Sequence, residues 1–165
     1  MDAERAAAEG AGVAAAGVAG AAAALVEMAA RVTEDPATLG QAQALRRRAE
    51  SLAAQNVTAY AAVLHALQDP GQRDLGAALD RAAEIPLQIA ETANDIAILA
   101  QYSADICDPH VRADVLAAAA LAAGAAAAAA ELVVANLTAL EGDERVARAY
   151  DLAASARRSA GTSPG

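Results

Sequence analysis

Ile85, Ile89, Thr92, Ile96 and Leu99 recur at spacings of four, three, four and three residues, which puts them on one stripe of an α-helix. Leu45, Ala49, Leu52, Asn56, Ala59, Val63 and Leu67 repeat that spacing. The repeat carries Asn56 onto an otherwise apolar seam, where it is expected to be partly buried. Between the periodic stretches stand helix boundaries. Asp35-Pro36 and Asp108-Pro109 each place a carboxylate acceptor before a proline at the first helical position, where the missing N–H costs nothing. Asp69-Pro70-Gly71 ends one pattern, Asp74 can cap the next, and Gly142-Asp143 supplies another stop and start. Together these predict five helices, near residues 4–33, 36–68, 74–106, 109–140 and 144–159. The expected fold is all-α, a five-helix up-and-down bundle forming one domain over residues 1–160, with 161–165 as a flexible tail. Pro86 falls inside the third helix, where an interior proline costs about 3 kcal/mol, so a kink is expected near residues 82–86. Gly12, Gly17 and Gly20 in the first helix and Gly124 in the fourth would let backbones approach closely. That makes these two helices the expected neighbours at the bundle centre.

Composition sharpens this picture. Of the 165 residues 56% are hydrophobic but only 2% aromatic, with no Phe and no Trp, so the apolar content is mostly alanine. Alanine has the highest helix propensity and little side-chain entropy to lose, and no strands are expected. Each alanine also buries little area, and burial at about 25 cal/mol per Å² is the main favourable term. Additional burial between copies of the chain would compensate for so thin a core.

The net charge of −9 disfavours nucleic acid, whose phosphates need basic clusters. Arg46, Arg47 and Arg48 are consecutive and so point about 100° apart on a helix, as a solvated surface does. Glu84, Gln88, Glu91 and Asp95 form the wet face opposite the isoleucines. A zinc site needs three or four ligands; the chain has one cysteine, Cys107, and two histidines, so Cys107-Asp108-Pro109-His110 is read as a turn and helix cap and no metal site is expected. Met1-Asp2-Ala3-Glu4-Arg5 lacks the basic start of a signal peptide. The apolar stretches 11–26 and 115–130 are dominated by alanine, which contributes little to bilayer insertion. A cytoplasmic protein without membrane contact is the expectation.

Three stretches carry a resemblance. Ala82-Ala83-Glu84-Ile85-Pro86-Leu87-Gln88-Ile89-Ala90 has the form Ala-Ala-x-[Val/Ile]-Pro-Leu-x-[Ile/Val]-Ala. Asp108-Pro109-His110-Val111-Arg112-Ala113-Asp114-Val115 is a proline turn with an aspartate opening an alanine-rich helix that ends near Asn136-Leu137. The first helix sets Gly17 and Gly20 among alanines. Together they resemble the cyclodeaminase/cyclohydrolase family of folate enzymes over roughly residues 8–158. The resemblance implies a homodimeric helical bundle with a folate pocket near the helix interfaces, no tightly bound cofactor, and a tetrahydrofolate derivative as substrate. The implied chemistry is closure of formimino-tetrahydrofolate to the methenyl form with loss of ammonia, or opening of the methenyl form by water. Either needs a group that moves a proton.

On the matching positions Asp114 is the implied catalytic carboxylate, and Gly10, Gly12, Asn56, Tyr60 and Asn136 are the implied substrate-binding residues. At about 1.5 Å per residue, Asp114 and Asn136 stand about 33 Å apart along one helix. They could share a site only across a dimer interface or through a break in that helix. The family's Pro-Gly-Gly-Gly-Ser loop reads Ala8-Glu9-Gly10-Ala11-Gly12-Val13 here, and its basic tract is replaced by Arg31-Val32-Thr33-Glu34-Asp35. These departures motivate an alternative: a catalytically inactive relative that keeps the helical dimer as a ligand-binding or interaction module.

Overall fold

A computed structural model of the chain describes residues 10–68, 75–137 and 142–161. Among them are five α-helices and no strand: α1 (Ala11–Val32), α2 (Pro36–Gln68), α3 (Leu75–Ile106), α4 (Arg112–Leu137) and α5 (Glu144–Gly161). The cap expected at Asp74 and the expected helical residues 4–9 and 138–140 lie outside the described residues. One boundary differs: Pro109–Val111 forms a 3-10 turn, and α4 proper begins at Arg112. At the other end of the chain, Gly161, expected in the tail, still belongs to α5.

The aspartates do the capping. Asp35 Oδ1 accepts from the backbone N–H of Ala37 at 3.0 Å and of Thr38 at 3.1 Å. Asp108 accepts from His110 N–H at 2.8 Å and Asp143 from Arg145 N–H at 2.9 Å. These bonds satisfy donors that a helix start leaves open. They also favour the ionised carboxyl. The Thr38 hydroxyl and amide hold Asp35 below its ordinary pKa, and the backbone and ring of His110 do the same to Asp108. The Arg145 side chain, then its amide, holds Asp143 at about 2.

A carboxyl that is a stronger acid folded than unfolded contributes stability that is fully present above its unfolded pKa of about 3.9 and lost as the pH falls through the folded value. The urea midpoint should therefore decline as the pH falls from about 4 toward about 2. Asp143→Asn should lower the midpoint at neutral pH and flatten part of that decline; an unchanged profile in the variant would remove Asp143 from the cause.

α1 packs against α2 and α4, α3 packs against all four other helices, and α5 lies against α3 and α4. The stripe Ile85, Ile89, Thr92, Ile96 and Leu99 is buried throughout, and Thr92 returns its hydroxyl to the Gln88 carbonyl at 2.8 Å. Along α2 the expected seam holds from Ala49 to Val63 and then shifts: Ala66 is buried while Leu67 is 57% exposed. A step of three after Val63 keeps the helix on its face, and a step of four overshoots.

The polar stripe of α3 is partly engaged. Glu91 pairs with Arg48 at 3.3 Å and with Arg148, tying α2 and α5 across α3. Glu27 in α1 is buried and pairs with Arg31 at 3.0 Å and Arg46 at 2.5 Å.

α1 and α4 are neighbours as expected, but the glycines are not all the reason. A Cβ on Gly12 would collide with Asn56, one on Gly20 would meet Ala49 at 3.9 Å, and those on Gly17 and Gly124 would meet nothing. Gly17 and Gly124 lie on the outer surface. Ala11–Val32 and Pro109–Leu137 are each long and apolar enough to cross a membrane, with 56% and 44% of their apolar windows buried in the bundle.

Candidate functional site

Pro86 has no N–H, so the carbonyl four residues before it, that of Ala82, loses its partner within α3. α3 nevertheless runs unbroken from Leu75 to Ile106. The free carbonyl is taken by another helix: Asn136 of α4 donates its Nδ2 to Ala82 O at 2.8 Å. The interior proline thus has its consequence in a side-chain bond between helices, and that bond forms one wall of a cleft.

The cleft, of about 240 Å³, is lined by Gly10, Ala11 and Gly12 at the start of α1, Asn56 and Tyr60 of α2, Ala82 and Pro86 of α3, and Leu132 and Asn136 of α4. Gly10 is the N-cap of α1, with extended backbone (φ −75°, ψ 159°) and no side-chain cap bond. The first amides of α1, at the positive end of its dipole, therefore border the space. Gly12 sits against the Asn56 amide, and a Cβ there would lie 2.5 Å from Asn56 Nδ2 and Oδ1. Asn56 is half-buried, as its place on the seam predicts, and Tyr60 is 40% exposed at the rim. Two primary amides, a phenol and backbone amides among small apolar walls suit the polar edge of a flat, neutral heterocycle. Among the described lining residues none carries a charge.

All five residues expected to bind substrate, drawn from three separate parts of the sequence, thus border one cleft. Asp114 does not. It is exposed in the first turn of α4, about 33 Å along the axis from Asn136, and borders none of the bundle's described clefts. Sequence reasoning passed over Pro86, Ala82 and Leu132 as cleft residues. The signal was present for Pro86 and Ala82, which belong to the Ala-Ala-x-Ile-Pro-Leu stretch.

A larger, open groove of about 660 Å³ between α2 and α3 was also missed, with Leu45, Ile98 and Tyr102 among its walls. Asp95 borders it, and burial pushes its carboxyl pKa up despite Arg48. The groove contains none of the expected residues. Burial also raises the Cys107 thiol pKa, and His110 is bonded to Asp108 at 2.7 Å. No group of three or more His, Cys, Asp or Glu side chains placed to hold a metal occurs among the described residues.

The protein is thus of a definite class, an all-helical bundle with a small neutral cleft where the start of α1 meets α2, α3 and α4. It belongs to the formiminotransferase-cyclodeaminase family, whose sequence profile matches residues 2–156. A solved structure of similar fold is the formiminotetrahydrofolate cyclodeaminase of Thermotoga maritima, with a TM-score of 0.75 at 20% identity, over 91% of this chain and 86% of that one. No curated protein matches the sequence.

Proposed function

We propose that the protein handles a tetrahydrofolate derivative in the cytoplasm, binding its pterin ring in the cleft among Gly12, Asn56, Tyr60 and Asn136. The observation that carries this reading is the convergence on one cleft of the five residues that the resemblance implies for substrate binding. A volume of about 240 Å³ is below the roughly 300 Å³ at which sites for whole drug-sized ligands begin. It suits one ring system, with the rest of the folate outside. Membership in the family supports cyclodeaminase or cyclohydrolase chemistry on that ligand.

The neutral lining supports a second reading. Ring closure with loss of ammonia, or ring opening by water, needs a proton acceptor and donor near the reacting atoms. Tyr60 is the one titratable side chain among the described lining residues. A chain that binds folate without turning it over is the alternative.

The deciding experiment follows methenyl-tetrahydrofolate absorbance and ammonia release from formimino-tetrahydrofolate with purified protein, alongside a titration with a non-reacting folate. Turnover above the no-protein control supports the enzyme, and binding without turnover supports the inactive relative. Absence of all three signals would dismiss the folate reading.

A further inference from the structure

A carbonyl oxygen accepts hydrogen bonds and never donates them. Asn136 therefore has to face Ala82 O with its nitrogen, and the bond from Nδ2 at 2.8 Å leaves the amide one orientation. Half a turn about its last bond would set oxygen against oxygen and strand the carbonyl of a buried residue. The opening at Ala82 O exists because Pro86 has no N–H to fill it. Pro86 thus decides, through Ala82, which end of the Asn136 amide is left for the cleft. That end is Oδ1, an acceptor to which no described residue donates.

The other polar groups of the cleft divide into fixed and adaptable ones. Gly10 caps α1 without a side chain, and its carbonyl takes the N–H groups of Val13 and Ala14. The N–H groups of Ala11 and Gly12 precede any acceptor within the helix and are taken by no described residue, so the start of α1 supplies donors in a set direction. Asn56 has no described hydrogen-bond partner, and its Nδ2 and Oδ1 both lie 2.5 Å from where a Gly12 Cβ would stand. Its amide rests flat against Gly12 and can present either end. The Tyr60 hydroxyl, at the exposed rim, turns to suit its neighbour.

A fixed acceptor on α4 and fixed donors on α1, two helices that pack on each other, are complemented by an N–H beside a carbonyl, the edge of a lactam. Replacing the carbonyl by an amino group reverses that edge: the ring nitrogen becomes an acceptor and the substituent a donor. The reversed edge would meet acceptor with acceptor and donors with a donor, which a site built on hydrogen bonds rejects.

We infer that Pro86 is a positioning residue: by leaving Ala82 O open it locks the Asn136 amide with Oδ1 toward the cleft, so that the cleft selects a heterocycle with a lactam edge over its amino-substituted counterpart. The pterin of a folate carries this edge, and so does guanine. Assigning the edge to a pterin rests on the folate reading; the lock and the edge do not.

Two matched pairs test it by titration at neutral pH: folic acid against its 4-amino-4-deoxy analogue, and guanosine against 2,6-diaminopurine riboside. Within each pair only the edge is reversed. In whichever pair binds, the lactam member should bind more tightly by on the order of tenfold or more. In Pro86→Ala the backbone reclaims Ala82 O and the Asn136 amide is released, so the preference should fall toward unity, with the amino member binding no worse than before. A proline that only shapes α3 would weaken both members together and leave their ratio unchanged, which overturns the proposal. In nitrogen-15-labelled protein without ligand, the Asn136 side-chain amide protons should exchange with solvent deuterium more slowly in the wild type than in Pro86→Ala; equal exchange would remove the lock. A preference in the purine pair without folic acid binding sinks the folate reading alone. Folic acid and its analogue bound equally sink the edge alone, and no binding in either pair sinks both.

Discussion

Asn136→Ala is expected to lower the unfolding free energy by about 1–3 kcal/mol, the usual cost of leaving a buried polar group without a partner. The magnitude follows from a particular vacancy. Pro86 cannot donate to Ala82 O, and Ala82 is 4% exposed, so water does not readily replace the Asn136 amide now bonded there at 2.8 Å. An asparagine bonded to an ordinary helical carbonyl, already paired within its helix, would cost far less to remove.

The comparison can be made inside this protein. Pro86→Ala supplies an N–H at the position from which α3 would normally close the bond to Ala82 O. In that background Asn136→Ala should cost at least 1 kcal/mol less than in the wild type, a coupling typical of residues sharing one partner. Urea denaturation of the four proteins of the cycle measures it. Additive costs would mean that the proline and the asparagine do not act on the same carbonyl.

That coupling also marks where sequence stops being legible. Helix boundaries were readable because their causes are local: an aspartate that accepts from amides two and three residues on, a proline at the first position, a glycine such as Gly142 with φ 82°. The stripe of α3 was readable because isoleucines stand out against polar neighbours. The partner of the Ala82 carbonyl was not, since Asn136 comes from another helix and no spacing rule connects the two. Nor could sequence orient α1 and α4. Where alanine occupies nearly every position, all sides look alike, so Gly17 and Gly124 were expected inside and lie outside. The cleft residues were reached through family resemblance, which carries long-range information that periodicity lacks. The same resemblance named Asp114, which stands exposed in the first turn of α4 and outside the cleft.

Gly12→Ala should do more damage than its single added methyl suggests. The new Cβ would lie 2.5 Å from both Nδ2 and Oδ1 of Asn56 and 2.6 Å from its Cγ, far inside van der Waals contact. Either the Asn56 amide swings out of the cleft or α1 and α2 separate, and overpacking of this kind costs about 1–3 kcal/mol. The swing is the cheaper response, because the colliding atoms are the end of a side chain. The expected signature is therefore a modest fall in stability with a large loss of ligand affinity, on the order of tenfold or more, or about 1.4 kcal/mol. Asn56→Ala removes the colliding atoms. Adding Gly12→Ala to Asn56→Ala should then leave the urea midpoint almost unmoved, whereas the same change in the wild type lowers it. If Gly12→Ala costs as much stability without the Asn56 amide as with it, the close approach of α1 to α2 rests on something other than this contact. Folate affinity separates the two consequences of the collision. Equal losses in Gly12→Ala, Asn56→Ala and the double variant would assign the ligand contact to the Asn56 amide and the support of that amide to Gly12.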